Sequence, residues 1–367
     1  MTAARPSPPR GVGLAMRRGI LLAAAATALV GVLAGLARVG VTTAALSHAP
    51  SHGPLLVLGL FGTVISIERA VALAHPLAYA APALLAASAG AMLGGLRGAG
   101  WLAVAGAGAL VGVNAAVVRR QRAPFTWMML GGALVLTAGA AAWALGRPVA
   151  ELAPAWMTFF VLTIVAERLE LSRLAPTPRW ASRALVAVAS LVGAASVALA
   201  GGVGGAARPL GLGLATLGVW QLRFDLARRT ARLPGLPRYS AIGVLAGAGW
   251  LTVTGAAWAY WGAPPPAGPR YDALLHGVFV GYVLAMVMAH APIILPAVAR
   301  VEVPYHPALW AGPLVLHAGL VVRLVGDAAG DVTVRRAGSI ANAAALLVFV
   351  AGVVAARALS RARRRGA

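Results

Sequence analysis

Apolar residues occupy this chain in long blocks. Twelve runs of roughly 20 residues, near 19–38, 53–73, 77–96, 100–118, 124–145, 152–171, 181–200, 207–227, 240–262, 272–297, 307–325 and 337–357, carry few charges. About 20 apolar residues is the length at which a helix crosses roughly 30 Å of hydrocarbon. The period-two alternation of membrane strands is absent. The pattern therefore predicts an all-α polytopic transmembrane bundle of about 12 helices, not a barrel. No segment between blocks exceeds about 20 residues, too short for a separate soluble domain. Residues 16–360 read as one transmembrane bundle. Residues 1–15, with Pro6, Pro8 and Pro9, read as a disordered cytoplasmic tail, and 361–367 as a basic cytoplasmic tail.

Composition strengthens the bilayer reading. Of 367 residues 60% are hydrophobic and 11% charged, and the mean hydropathy is +0.82, which leaves too little polar surface to cover a soluble globule. The net charge of +22 invites a nucleic-acid partner, but its distribution argues against one. All 31 basic residues are arginine. Alternating the loops from an inward N-terminus places 23 of them on one face and eight on the other, namely Arg38, Arg97, Arg147, Arg208, Arg270, Arg323, Arg335 and Arg336. That is the positive-inside bias of a protein with both termini cytoplasmic, and it predicts a multi-pass protein of a bacterial inner membrane with the lipid bilayer as its surroundings. Arg17-Arg18 before the first block resembles a signal-peptide start, but the apolar run is longer than an h-region and is expected to be retained.

Cysteine is absent, so thiolate metal sites, iron–sulfur clusters and covalent haem attachment are excluded. Histidine is left as the main metal ligand. The second block opens with Ser47-His48-Ala49-Pro50-Ser51-His52-Gly53 and the tenth with His276-Gly277. Two parallel helices that each begin with His-Gly at the outer face suit a haem or metal held between helices, because imidazole is the commonest metal ligand and is costly to leave unpaired in lipid. His52 is expected in the first turn of its helix and His276 about four residues in, an offset of roughly 6 Å at 1.5 Å per residue. His317, inside the eleventh block, joins them as a candidate. The plainer role for His48 and His52 is to cap a helix in interfacial water. His75 and His306, each before a proline, read as loop residues, and His290 as a partner for carbonyls that Pro292 releases.

The carboxylates are few. Ile67-Glu68-Arg69 and Ala166-Glu167-Arg168 repeat a Glu-Arg step near the inner ends of two helices. Adjacent residues point in different directions on a helix, so cross-helix pairs are expected, Glu68 with Arg168 and Glu167 with Arg69. The sharper reading gives Glu68 a place in a proton path from the cytoplasm. Asp272, one turn before His276, together with Asp327 and Asp331, could orient a ligating imidazole. Asp225, among inner arginines, reads as structural. Glycine- and alanine-rich spacing around Gly98 to Gly112 speaks for close helix packing and not for chemistry.

The two His-Gly openings, with His290-Ala291-Pro292 further along, resemble the NnrS family of haem- and copper-containing bacterial membrane proteins. More remotely they are similar to the catalytic subunit of haem-copper oxidases and nitric oxide reductases. The resemblance implies a low-spin haem held by His52 (or His48) and His276, with His48 and His317 as candidates for a second metal such as copper. It implies a role in nitric oxide or respiratory metabolism and a respiratory-chain electron donor. The sequence departs from the pattern in lacking an adjacent His-His pair and a second histidine two residues from His276, and the resemblance does not extend to turnover. Two other functions fit the residues. One is a secondary transporter with a midplane site near the proline-broken tenth helix, where Pro292 and Pro296 follow one another. The other is a non-catalytic respiratory assembly factor.

Overall fold

The computed structural model describes residues 13–174, 177–263 and 265–366. Among them there are twelve long helices and no strand. They are α1 (Leu14–Arg38), α2 (Leu46–Leu73), α3 (Pro76–Leu93), α4 (Ala99–Arg120), α5 (Pro124–Ala144), α6 (Val149–Leu174), α7 (Arg179–Ala200), α8 (Ala207–Phe224), α9 (Leu236–Trp261), α10 (Pro269–Ala299), α11 (Pro307–Ala329) and α12 (Val332–Gly366). Eleven are long and apolar enough to cross a membrane. The exception is α8, an 18-residue helix with Arg208, Gln221 and Arg223 among its residues. It nonetheless packs closely along its neighbour α9. Gly211 and Gly218 lie against the backbone of α9, and Gly255 lies against that of α8, leaving no room for a side chain at any of the three.

Several expected boundaries shift. Helix α2 starts at Leu46 and α10 at Pro269, each earlier than its apolar block: Pro269 is the first residue of its helix, where a missing N–H costs nothing, and α2 opens through a 3-10 segment, Leu46–Ser51, that contains Pro50. The C-terminal residues expected as a separate basic tail continue α12 to Gly366. Helix α1 already begins at Leu14, inside the stretch expected to be disordered, and residues 1–12 of that stretch lie outside the described residues.

Successive helices alternate in direction, as the contacts between loops show. At one end Arg38 donates to the carbonyl of Ala49 (3.5 Å), Arg147 to Ala200 (2.9 Å) and Arg336 to Val39 (2.8 Å). At the other, Arg18 reaches Ala299 (3.3 Å), Arg120 reaches Leu73 (3.0 Å) and the Trp220 indole reaches Ala181 (2.9 Å). The first may be named the histidine end and the second the arginine end. Helix α6 is the axis, buried from Leu152 to Leu169 on nearly every face. Phe160 on it packs against Phe61 of α2 and Phe279 of α10, with Phe159 beside it. The perimeter exposes Leu22, Leu134, Leu191, Val253 and Leu347, side chains that suit contact with acyl chains.

Prolines inside these helices free carbonyls that lipid cannot satisfy. Pro154 removes the donor for Ala150, and the Tyr271 hydroxyl from α10 donates there. Pro292 removes the donor for Met288, and the buried Tyr239 hydroxyl of α9 supplies it at 3.0 Å. His290, expected to serve the Pro292 break, donates instead to Met286 one turn before it (2.8 Å).

Two wider turns interrupt the ladder elsewhere. Helix α2 is π-helical over Leu55–Gly62 and α10 over Phe279–Leu284. Each begins three residues after a histidine, His52 and His276 respectively. Such segments are rare and concentrate at functional sites.

Reporter fusions test the alternation against the membrane itself. Fusions after residues 45, 148 and 268 are expected to report the outer compartment, and fusions after 121, 177 and 234 the cytoplasm. A reversed signal at any one of the six overturns the arrangement downstream of it.

Candidate functional site

His52 and His276 come together at the histidine end. Their ring centres are 6.5 Å apart with planes 20° from parallel. His52 is the seventh residue of α2 and His276 the eighth of α10, so neither stands in the first turn of its helix.

Both rings are held from behind. The Nδ1 of His52 lies 2.7 Å from the carbonyl of Gly31 on α1. That of His276 lies 2.9 Å from the Asp272 carbonyl and 3.2 Å from its carboxylate. A carbonyl can only accept, so each Nδ1 carries a proton and donates, and in the neutral ring Nε2 is the nitrogen that keeps a lone pair. This is the arrangement that orients a metal-binding imidazole. Asp272 is fixed in turn by Arg323 of α11, whose Nε and Nη2 each donate to one carboxylate oxygen at 2.7 Å. The two-pronged geometry is the strong form of such a pair. Helix α1 makes room for the ring at Gly35 and for Leu56 at Gly31. A Cβ on Gly35 would lie 2.5–2.6 Å from His52 ring atoms.

The glycine after each histidine has a packing role. Gly53 faces Val149 of α6, and Gly277 sits tightly against Thr254 of α9. The other candidates are not drawn into the pair. His48 lies in the 3-10 turn that opens α2. His317 accepts a hydrogen bond on Nδ1 from the Trp250 indole at 3.0 Å. Its remaining proton is then on Nε2, which leaves no lone pair for a metal. Among the described residues no three of His, Asp and Glu are placed to hold a metal ion. His75 and His306 are loop residues, each capping the first turn after it by accepting from Leu77 (3.3 Å) and Ala308 (3.2 Å).

The arginine half of the bundle holds the Glu-Arg pairs. Arg69 Nη2 donates to Glu167 (2.8 Å), as the repeat suggested, and also to Glu68, its own neighbour, at 2.8 Å. Glu68 does not face Arg168. That guanidinium turns to His290 Nε2 at 3.4 Å and to Asp225 at 3.6 Å. The expectation failed because the guanidinium of Arg69 lies between helices, where one nitrogen reaches both Glu68 and Glu167, so adjacency does not forbid the contact. Asp225 caps the short turn after α8 by accepting from Ala227 (2.8 Å), and burial pushes its carboxyl up from the ordinary range while Arg168 pulls it down. At the histidine end Asp327 is buried 3.8 Å from Arg335, and Asp331 caps the start of α12 by accepting from Thr333 and Val334. Neither contacts His276 directly.

Sequence reasoning missed four contributors: Gly31, Gly35, Arg323 and Trp250. Arg323 carried a signal, as an arginine in the middle of an apolar block. The glycines of α1 gave none, being indistinguishable from the chain's 45 glycines.

A bundle of membrane-spanning helices with two facing imidazoles near one end is the class that fold and site define. The chain belongs to the family described as Domain of unknown function (DUF8744), which it matches over residues 17–358. No curated protein matches it.

The ion cluster of the arginine half makes a definite prediction. Among the described residues Arg69 is the only cation shared by Glu68 and Glu167, and its side chain is 15% exposed. Arg69→Met should destabilise the purified protein by up to about 3–5 kcal/mol, the range for one partner lost from a buried pair. Arg69→Met with Glu167→Gln should recover part of the loss in thermal unfolding. A single variant as stable as the parent, or a double variant no better than the single, contradicts the cluster.

Proposed function

We propose that this protein is an integral membrane haem protein in which His52 and His276 would hold one haem iron between them. The supporting observation is the pair itself, two near-parallel rings with each Nδ1 tied to a carbonyl and each Nε2 left with its lone pair. An imidazole nitrogen sits about 2.0–2.1 Å from a first-row metal with the ring centre ~1.1 Å beyond, so two imidazoles across one ion have centres about 6.3 Å apart. The 6.5 Å between ring centres equals that spacing within a few tenths of an ångström, and the reading requires the two Nε2 atoms to turn toward one another.

A haem held by two histidines supplies one-electron transfer and has no open position for a substrate or gas. The protein's own contribution is orientation. Arg323 holds Asp272, Asp272 holds His276, and Gly31 and Gly35 seat His52. The link to nitric oxide or respiratory metabolism, and to a respiratory-chain donor, rests on the resemblance to the NnrS family. Copper finds less support, since His317 is engaged with Trp250 and no third donor joins the pair. A transporter site at the α10 break draws support from the π-helical segment and Pro292. Against it, the carbonyl freed by Pro292 is already taken by Tyr239.

Protein purified from haem-sufficient cells should show a Soret band that shifts on reduction. His52→Ala and His276→Ala should each abolish or shift it, while His75→Ala and His317→Ala leave it in place. Gly35→Ala, which pushes a methyl into the His52 ring, should weaken haem retention without changing helix content. A colourless preparation, or a Soret band indifferent to His52 and His276, rejects the haem reading and favours the transporter.

A further inference from the structure

A groove of about 920 Å³ opens on the flank of the bundle between α5 and α7, floored by Leu162 of α6. Its walls are small and apolar, with Gly131, Ala189 and Gly193 among them, and its rim carries Trp127 and Val197, both well exposed. The groove is made by missing side chains. A Cβ on Gly131 would meet nothing within 4 Å, and one on Gly193 would only touch Leu162 at 3.7 Å.

Two features say what fills it. The first is length. It extends from Pro124 to Val135 on α5 and from Val186 to Ala198 on α7, about 17–18 Å at 1.5 Å rise per residue. One leaflet of a bilayer is about half of roughly 30 Å, so the groove matches one acyl chain lying along its leaflet. The second is charge. The single charged lining residue is Arg122, at the arginine end, and Arg119 and Arg183 are exposed at the same end. No carboxylate pairs with any of the three among the described residues. Trp127 stands one turn from Arg122 at the level where indole rings favour the headgroup boundary.

We propose that this groove binds one anionic glycerophospholipid from the leaflet at the arginine end, an acyl chain along Gly131 and Gly193 and the phosphate against Arg122. The proposal is independent of the haem reading, since the groove lies away from His52 and His276 and shares no residue with them.

Native mass spectrometry of the full chain in detergent tests it, with phosphatidylglycerol and phosphatidylcholine of the same chains added in parallel. One phosphatidylglycerol should be retained per chain, favoured over phosphatidylcholine by roughly fivefold, the equivalent of about 1 kcal/mol for an arginine near the headgroups. Arg122→Gln should erase the preference while leaving residual binding of both lipids. Gly131→Leu and Gly193→Leu, which fill the groove without meeting backbone, should each lower retention of both. Equal binding of the two lipids by the parent, a preference that survives Arg122→Gln, or retention unchanged in both leucine variants would overturn the site.

Discussion

A polar group inside this bundle has no water to turn to, and the arrangement of the helices follows from finding it a partner. Where Pro154 and Pro292 strip a carbonyl of its own donor, a tyrosine from the neighbouring helix reaches across to replace it. The charges obey the same rule. Arg323 finds Asp272, Arg69 finds two glutamates, and Arg168 finds His290 and Asp225. Each leftover donor or acceptor would cost several kcal/mol in hydrocarbon, so these contacts fix which helices are neighbours and in what register.

The histidine pair is a product of that constraint. Two imidazoles from α2 and α10 approach to 6.5 Å between ring centres, and each disposes of its Nδ1 proton on a backbone carbonyl. What remains on each ring is a single lone pair. The helices that carry them are themselves unusual in the same place, each widening into a π-helical segment three residues further on. A π-helical turn leaves the following residues rotated on the helix relative to a regular one. Phe61 and Phe279 fall within these two segments, and both meet Phe160 of the axial α6. The packing below the pair therefore depends on the wider turns.

Much of the fold was legible in the residues. Apolar blocks of membrane length gave the number and approximate place of the helices, and the arginines gave their alternation. The place of α8 was legible too, though Arg208 and Arg223 leave it less apolar than the rest. Among the site residues, His52 and His276 were readable because histidine at the start of a spanning helix is costly without a purpose. The partition of the others was not. His317, like His276, is a histidine inside a spanning helix, but its Nδ1 accepts from Trp250, a contact between α9 and α11 that no sequence pattern marks. The pairing of Glu68 turned on where one guanidinium lies between helices. The wide turns of α2 and α10 depend on tertiary packing and leave no mark in an apolar sequence such as Leu55 to Gly62.

The central claim is that His52 and His276 share one iron with their rings nearly parallel. The angle between two axial imidazole planes sets how far the iron d orbitals are split, so it is read directly by electron paramagnetic resonance of the oxidised protein. Planes 20° apart predict a low-spin signal of rhombic form with three resolved g values, lost in His276→Ala. A high-spin signal, or the strongly axial low-spin signal that perpendicular imidazoles give, would contradict the pair as the ligands of a single haem.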